Sequence, residues 1–247
     1  PVGVEGLHVV DGQGKTVVKV GSVTTEKGLL SWIFSSQNLG ALRINDVAID
    51  LAVAEGTTSL EQALQPLVEA DLSSESSAKS NYVGTIELTN ARIALRDAHH
   101  PDIWVVDVPT FKTQLPGPTQ VIGPTQLSAT ISDADRAATG TIAADVTETT
   151  SGDIRSFNVR AAVDHVPLAF WHIVHERIPE LPIDELSGFV SARVAGSLID
   201  LERWTFHAEQ LSGSQLVITA PSLVGPKPAR MESIRLKGQA ALADGML

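Results

Sequence analysis

Apolar and polar residues alternate with period two along most of this chain. The runs "TVVKV" (16–20), "DIWVVDV" (102–108), "SFNVRAAV" (156–163), "GFVSARVAG" (188–196), "RWTFHAE" (203–209) and "SQLVITA" (214–220) all carry it. A strand buried on one face imposes that pattern, because successive side chains point to opposite sides. Turn residues punctuate the runs: Asp11-Gly12-Gln13-Gly14, Pro116-Gly117-Pro118, Ser151-Gly152-Asp153 and the stretch from Pro221 to Pro228. Many short strands so spaced predict a sandwich, a barrel or an extended sheet, and argue against a parallel α/β core.

Two strands break phase. In "GALRINDVAIDL" (40–51), Leu42 and Ile44 are even-numbered while Val47, Ile49 and Leu51 are odd, and the slip falls at Asn45–Asp46. It recurs 44 residues on in "GTIELTNARIAL" (84–95), where Ile86 and Leu88 give way to Ala91, Ile93 and Leu95 across Thr89–Asn90. In an ideal strand such a slip would throw half of the apolar set onto the wrong face. A bulge at that level would restore the face and bend the strand. The repeat extends further. "LHVVDGQGKTVVKVGSV" (7–23) matches "IALRDAHHPDIWVVDVPTF" (93–111), with Asp11 against Asp97 and Val20 against Val108, and a looser copy spans 216–236. Stacked units kinked at one level predict a mainly β fold: an elongated, twisted, predominantly antiparallel sheet curled into a groove by repeated bulges.

Three stretches leave the period of two. "TTSLEQALQPLVEAD" (57–71) carries a capping box, Thr58 to Glu61, ahead of Leu60, Leu64 and Leu67–Val68 at helical spacing. The Ser-rich tract that follows reads as a loop. "VPLAFWHIVHERIPEL" (166–181) predicts a second helix, with Pro167 at its start, Leu168, Trp171 and Val174–His175 on one face, and Pro179 as its stop. "KGLLSWIFSSQNLG" (27–40) predicts a short helix or turn. The single internal boundary that composition suggests is soft, near 135–155, where Ala, Thr and Asp accumulate.

A curled sheet has an inner and an outer face. The kinked strands send Leu42, Ile44, Ile49, Leu51, Ile86, Leu88, Ile93 and Leu95 inward, and the matching hairpins add Val18, Val20, Val106 and Val108. Arg43, Asp50, Glu87 and Arg92 point outward. Alternation alone leaves two outcomes open, an inner face filled by a second sheet or an open apolar groove. An open groove of that size needs an apolar ligand, for which acyl chains are the natural candidates.

Charge narrows the partners. Eighteen Lys and Arg against 29 Asp and Glu give a formal charge of −11, with no basic run, so nothing supplies the counter-charge for DNA or RNA. The same balance argues against a basic patch docking on anionic lipid headgroups. With no cysteine there are no disulfides, thiolate metal sites or Cys nucleophiles. The longest apolar stretches fall far short of the ~18 residues of a membrane span. The chain opens on Pro1 and closes on "ALADGML", which reads as a fragment, residues 1–247, of a longer protein.

Catalytic chemistry finds little purchase. "HIVHE" (172–176) is not HExxH, and His172 and His175 lack a third metal ligand at helical or hairpin spacing. "DAHHPD" (97–102) gathers Asp97, His99, His100 and Asp102, but at a hairpin turn where polar residues need no special purpose. There is no GxSxG or SxxK, and "DGQGKT" is too short for a phosphate-binding loop. The reading is therefore non-enzymatic, with no catalytic residue, metal or cofactor.

The stretches "LGALRINDVAIDL", "GTTSLEQALQPLVEA" and "VEGLHVVDGQGKTVVKV", with "AVDHVPLAFWHIVHERIPELPIDELSGFVSARVAGSL", resemble the AsmA-like superfamily of bacterial envelope proteins, which includes TamB. The last is the most specific: Pro167, Leu168, Pro179, Leu181, Gly188, Val194 and Gly196 occupy the family's run of a Pro-started helix, a proline pair and a Gly-initiated strand ending in Gly. The resemblance implies a groove-like sheet in the periplasm of a Gram-negative-type bacterium, its parent held in the inner membrane by an anchor outside this chain. It further implies sheltering of phospholipid acyl chains, in lipid transport between the membranes or outer-membrane assembly, with a possible outer-membrane partner. It brings no catalytic motif. The alternative from another class is a closed β scaffold or adhesive module, whose ligands would sit at loops such as 73–81 or 112–126.

Overall fold

The alternating runs are strands, longer than the sequence pattern marks them. The computed structural model describes residues 2–28, 38–54, 56–65, 83–97, 99–115, 124–151, 154–178, 182–199 and 203–242. They form β1 (Val2–Val10), β2 (Thr16–Thr25), β3 (Asn38–Ala54), β4 (Thr57–Thr58), β5 (Val83–Asp97), β6 (Ile103–Leu115), β7 (Thr125–Asp133), β8 (Thr139–Ser151), β9 (Ile154–Pro167), β10 (Glu185–Ile199), β11 (Arg203–Thr219) and β12 (Ala229–Leu242). The runs 203–209 and 214–220 are one strand, β11, whose phase shifts at a bulge between Ala208 and Leu211. Residues 112–115 and 125–126, expected in a loop, belong to β6 and β7.

All twelve strands lie in one open sheet, ordered β1-β2-β3-β5-β6-β7-β8-β9-β10-β11-β12, with β4 paired to β3. Neighbours are antiparallel except β3 and β5, which run parallel. The register of that parallel pair is the sequence repeat itself: Leu42 lies beside Ile86, Ile44 beside Leu88, Ile49 beside Ile93 and Leu51 beside Leu95. The β8–β9 ladder runs unbroken from Thr141–Asp164 to Ser151–Ile154, through the stretch where composition shifts.

The phase slip has a backbone cause. Asp46 and Asn90 adopt left-handed conformations, with φ of 56° and 57°. Such a residue turns the strand without adding to it. The ladders pass straight through, from Val20–Val47 to Ser22–Asn45 and from Ala91–Val108 to Thr89–Thr110. Asn and Asp tolerate this region best among residues with a Cβ. The kink is also tied from strand to strand: Thr89 Oγ1 donates to Asn45 Oδ1, Asn45 Nδ2 to the Ser22 hydroxyl at 3.1 Å, and Asn90 Nδ2 to Asp46 Oδ1. Across from Asp46 sits Gly21, where a Cβ would stand 2.8 Å from the Asp46 Cβ. Register shifts proper recur in β1–β2, β6–β7, β9–β10, β10–β11 and β11–β12, and add bend and twist there.

Two helical segments sit at one end of the strands. The first begins as its capping box predicts and is described over 59–65, so the expected Leu67–Val68 contacts lie outside the described residues. Thr58 N donates to Glu61 Oε2 at 2.8 Å, and Glu61 N to Thr58 Oγ1 at 3.2 Å. The second is shorter than 166–181. Val166 and Pro167 end β9, a 3-10 turn covers Leu168–Phe170, and the α-helix spans Trp171–Arg177. Its buried residue is Ile173, not Trp171 or His175. The tighter opening turn rotates the later residues away from the face that a uniform α-helical period projects. A four-residue helix, Pro221–Val224, joins β11 to β12. Within 27–40, residues 38–40 start β3 and 29–37 lie outside the described residues.

The Trp171–Arg177 helix measures the curl. It packs against β3, β5 and β10, yet β3 and β10 are six strand positions apart in the sheet. Flat, they would stand about 29 Å from each other, whereas seven helical residues span about 10 Å. The sheet therefore wraps around the helix, with the apolar face inside.

A candidate apolar groove

The kinks keep the expected apolar set on one face, while Val105, level with Asp50 and Ala94 on the other, is buried there. Val18, Ile49, Ile93, Val106 and Ile131 stand side by side on β2, β3, β5, β6 and β7. Toward the helical end, Leu51 and Leu95 continue to Trp104. The next row on the other side is Val20, Val47, Ala91 and Val108. Beyond the kink come Ile44, Leu88, Phe111 and Leu127, then Leu42, Ile86 and Thr113. All twelve residues expected to point inward share this surface.

Burial grades across it. Val47, Ala91, Val108 and Ala129 form a buried cluster against Val18, Val20, Ile44, Ile49, Leu88, Val106, Phe111 and Leu127. Of the twelve inward residues only Val108 is buried, at 7% exposure, and the others are half-buried. Every described strand belongs to this one sheet, so no second described sheet covers the face. The apolar surface reaches both edges: Val4 and Leu7 on β1 are 50% and 42% exposed, and Leu236 on β12 is 50% exposed.

One end of the face is covered. Ile173 packs with Val53, Trp104, Ile131 and Val166, with Leu95, Ile142, Val163, Phe170 and Val190 around them. Phe170 meets Trp104 edge-on at 6.1 Å. Trp171 Nε1 donates to the Ile183 carbonyl at 2.9 Å, Gly56 N to the Glu176 carbonyl at 3.1 Å, and Arg177 pairs with Glu61 at 2.6 Å. The Thr58 backbone N–H and hydroxyl, together with Arg177, hold the Glu61 carboxyl below the usual carboxylate range.

The outer face is a net of ion pairs. Glu87 accepts from Lys112 at 2.7 Å and from Arg43 at 3.3 Å, Arg43 reaches Glu26 at 2.7 Å, Arg96 reaches Asp50 at 2.9 Å, and Arg92 lies 3.8 Å from Asp107. Lys112 and then Arg43 keep the Glu87 carboxyl below its ordinary value. Arg43, Asp50, Glu87 and Arg92 thus occupy the outward positions that alternation gives them.

Sequence reading missed Trp104, Phe111, Val53 and Ile131 as part of the face. Trp104 stands two residues before Val106 in "DIWVVDV", so the same alternation would have found it. His99, His100 and His172 meet at the helical end without forming a metal centre: His100 and His172 rings lie 4.3 Å apart, His99 Nε2 is 3.9 Å from Glu176, and among the described residues no three His, Asp or Glu come together as a metal site. No described helix is long and apolar enough to cross a membrane. Compared with known proteins, the chain matches no family model and no curated protein.

Proposed function

We propose that this chain is a non-enzymatic segment of a larger AsmA-like envelope protein, and that its curled sheet shelters lipid acyl chains. One observation carries the reading: an apolar face several strands wide that no described sheet covers and on which eleven of the twelve expected inward residues are only half-buried. A soluble protein rarely leaves so large a contiguous apolar surface uncovered without a ligand or partner for it. The face offers no charge along its central rows, which suits a hydrocarbon and not a headgroup, while the ion pairs of the outer face keep that side in water. In this proposal the protein works in the periplasm and passes phospholipid between the membranes or toward outer-membrane assembly.

The test is native mass spectrometry of the chain purified from bacterial cells without detergent, with lipid extraction of the same sample. Co-purifying phospholipid that disappears in Ile49→Asp and Ile93→Asp, with unchanged circular dichroism, supports the groove. In a sealed core the same carboxylate would cost several kcal/mol and unfold the chain, since about 2–7 kcal/mol attends burial of even a neutral unpaired polar group. A lipid-free wild-type protein that these substitutions unfold would establish the scaffold reading instead.

A further inference from the structure

The helical cover over the groove end is seated unlike the rest of the fold. Ile173 and Phe170 occupy the inner face at Val53, Trp104, Ile131 and Val166, the place where an acyl chain running along the apolar rows would arrive. The seat is poorly satisfied. Trp104 is buried to 3% exposure, and its Nε1 has no acceptor. Asp133, its partner across the β6–β7 ladder, has a buried Oδ1 without a donor. On the helix itself, His172 Nδ1 donates to the Ala169 carbonyl at 2.8 Å while its Nε2 is buried without a partner, and so is His175 Nδ1. The helix has no side-chain cap and no acidic residue in its first turn. Buried polar groups left unpaired weaken the state that buries them, and elements that open are drawn from the least stable parts of a structure.

We propose that the Trp171–Arg177 helix is a displaceable plug: it and an acyl chain compete for the same end of the inner face, and a bound chain lifts the helix from its seat. The inference rests on the groove reading and adds its control element. Lifting the helix frees the two unpaired histidine nitrogens that it carries to meet water, while hydrocarbon takes over the apolar contacts of Ile173 and Phe170. One tether that resists is the exposed Arg177–Glu61 pair, which joins the two helical segments, beside the Trp171–Ile183 and Gly56–Glu176 bonds.

Hydrogen exchange of the full chain, followed over residues 168–178 with and without monomeric palmitate, tests this, with palmitate binding read independently from a fluorescent analogue. The plug amides should exchange faster than those of β3 and β5 in the free protein, and faster still with palmitate. Arg177→Ala should speed uptake about two- to fivefold, the ratio equivalent to an exposed ion pair. Arg177→Lys, which keeps a positive charge beside Glu61, should stay near the wild-type rate. Palmitate that binds while the plug amides stay unchanged or become protected would overturn the plug and leave the groove standing. Absence of binding in both wild type and Arg177→Ala would overturn the groove and the plug together.

Discussion

Asp46 and Asn90 decide how the apolar pattern becomes a surface. Each adopts a left-handed backbone that only glycine enters freely, and each answers an alternation that would otherwise fail. Asn90→Gly should therefore fold with a near-unchanged urea midpoint, whereas Asn90→Val should lose about 2 kcal/mol, the left-handed cost compounded by a β-branch. Their neighbours are constrained in turn. Gly140 faces His165, another left-handed residue, and a Cβ there would stand 2.5 Å from the Val166 Cα and 2.6 Å from the His165 carbonyl oxygen. Backbone cannot step aside as a side chain can. Gly140→Ala should cost upward of about 3 kcal/mol and more than Gly21→Ala, read by chemical denaturation. The first two kinks were legible because Asn and Asp sit at a visible phase slip with a repeat behind it. His165 and Gln215, equally left-handed, were not read: the slip from Val163 to Val166 falls where a helix was expected to start, and at Gln215 the small residues Gly213 and Ser214 blur the alternation.

Among elements, capping chemistry was legible and helix orientation was not. Thr58 and Glu61 form the reciprocal bonds that their spacing promises, because both partners lie within one turn. The face of the second helix depends on a 3-10 turn that Leu-Ala-Phe does not announce. The joint of β3, β5 and β6 is closed on the outside by Glu87 between Arg43 and Lys112. Because the folded carboxyl sits below its ordinary value, this contribution is fully present above the unfolded value and is lost as pH falls through the folded one. Urea midpoints measured from pH 7 down to pH 3 should fall in that acid window. Glu87→Gln should show a shallower fall over the same range.

At the scale of the molecule, the sheet is open and its apolar face runs out to both edges. Fold class and inward face were legible because period two survives along nearly every strand. The extent of the curl was not, since it depends on a helix meeting strands far apart in the sheet. Val4, Leu7 and Leu236 place apolar side chains on β1 and β12, the edge strands of the described sheet, the condition under which sheet edges recruit other chains. The purified chain should self-associate with concentration, and the double variant Leu7→Lys with Leu236→Lys should scatter less light at equal stability.

The parallel joint has a consequence in time. Most of the sheet's joints are hairpins that can close locally, but β3 and β5 meet only after the chain between Ala54 and Val83 has doubled back. Closing that 28-residue connection costs about 1.5 kcal/mol more entropy than closing the five-residue turn from β5 to β6. Folding should thus proceed as two local assemblies, β1 to β3 and β5 to β12, whose docking along the Ile49–Ile93 register is the slow step. Asn45, Asp46, Thr89 and Asn90, whose side chains bond across that seam, then act as the latch that ends the search.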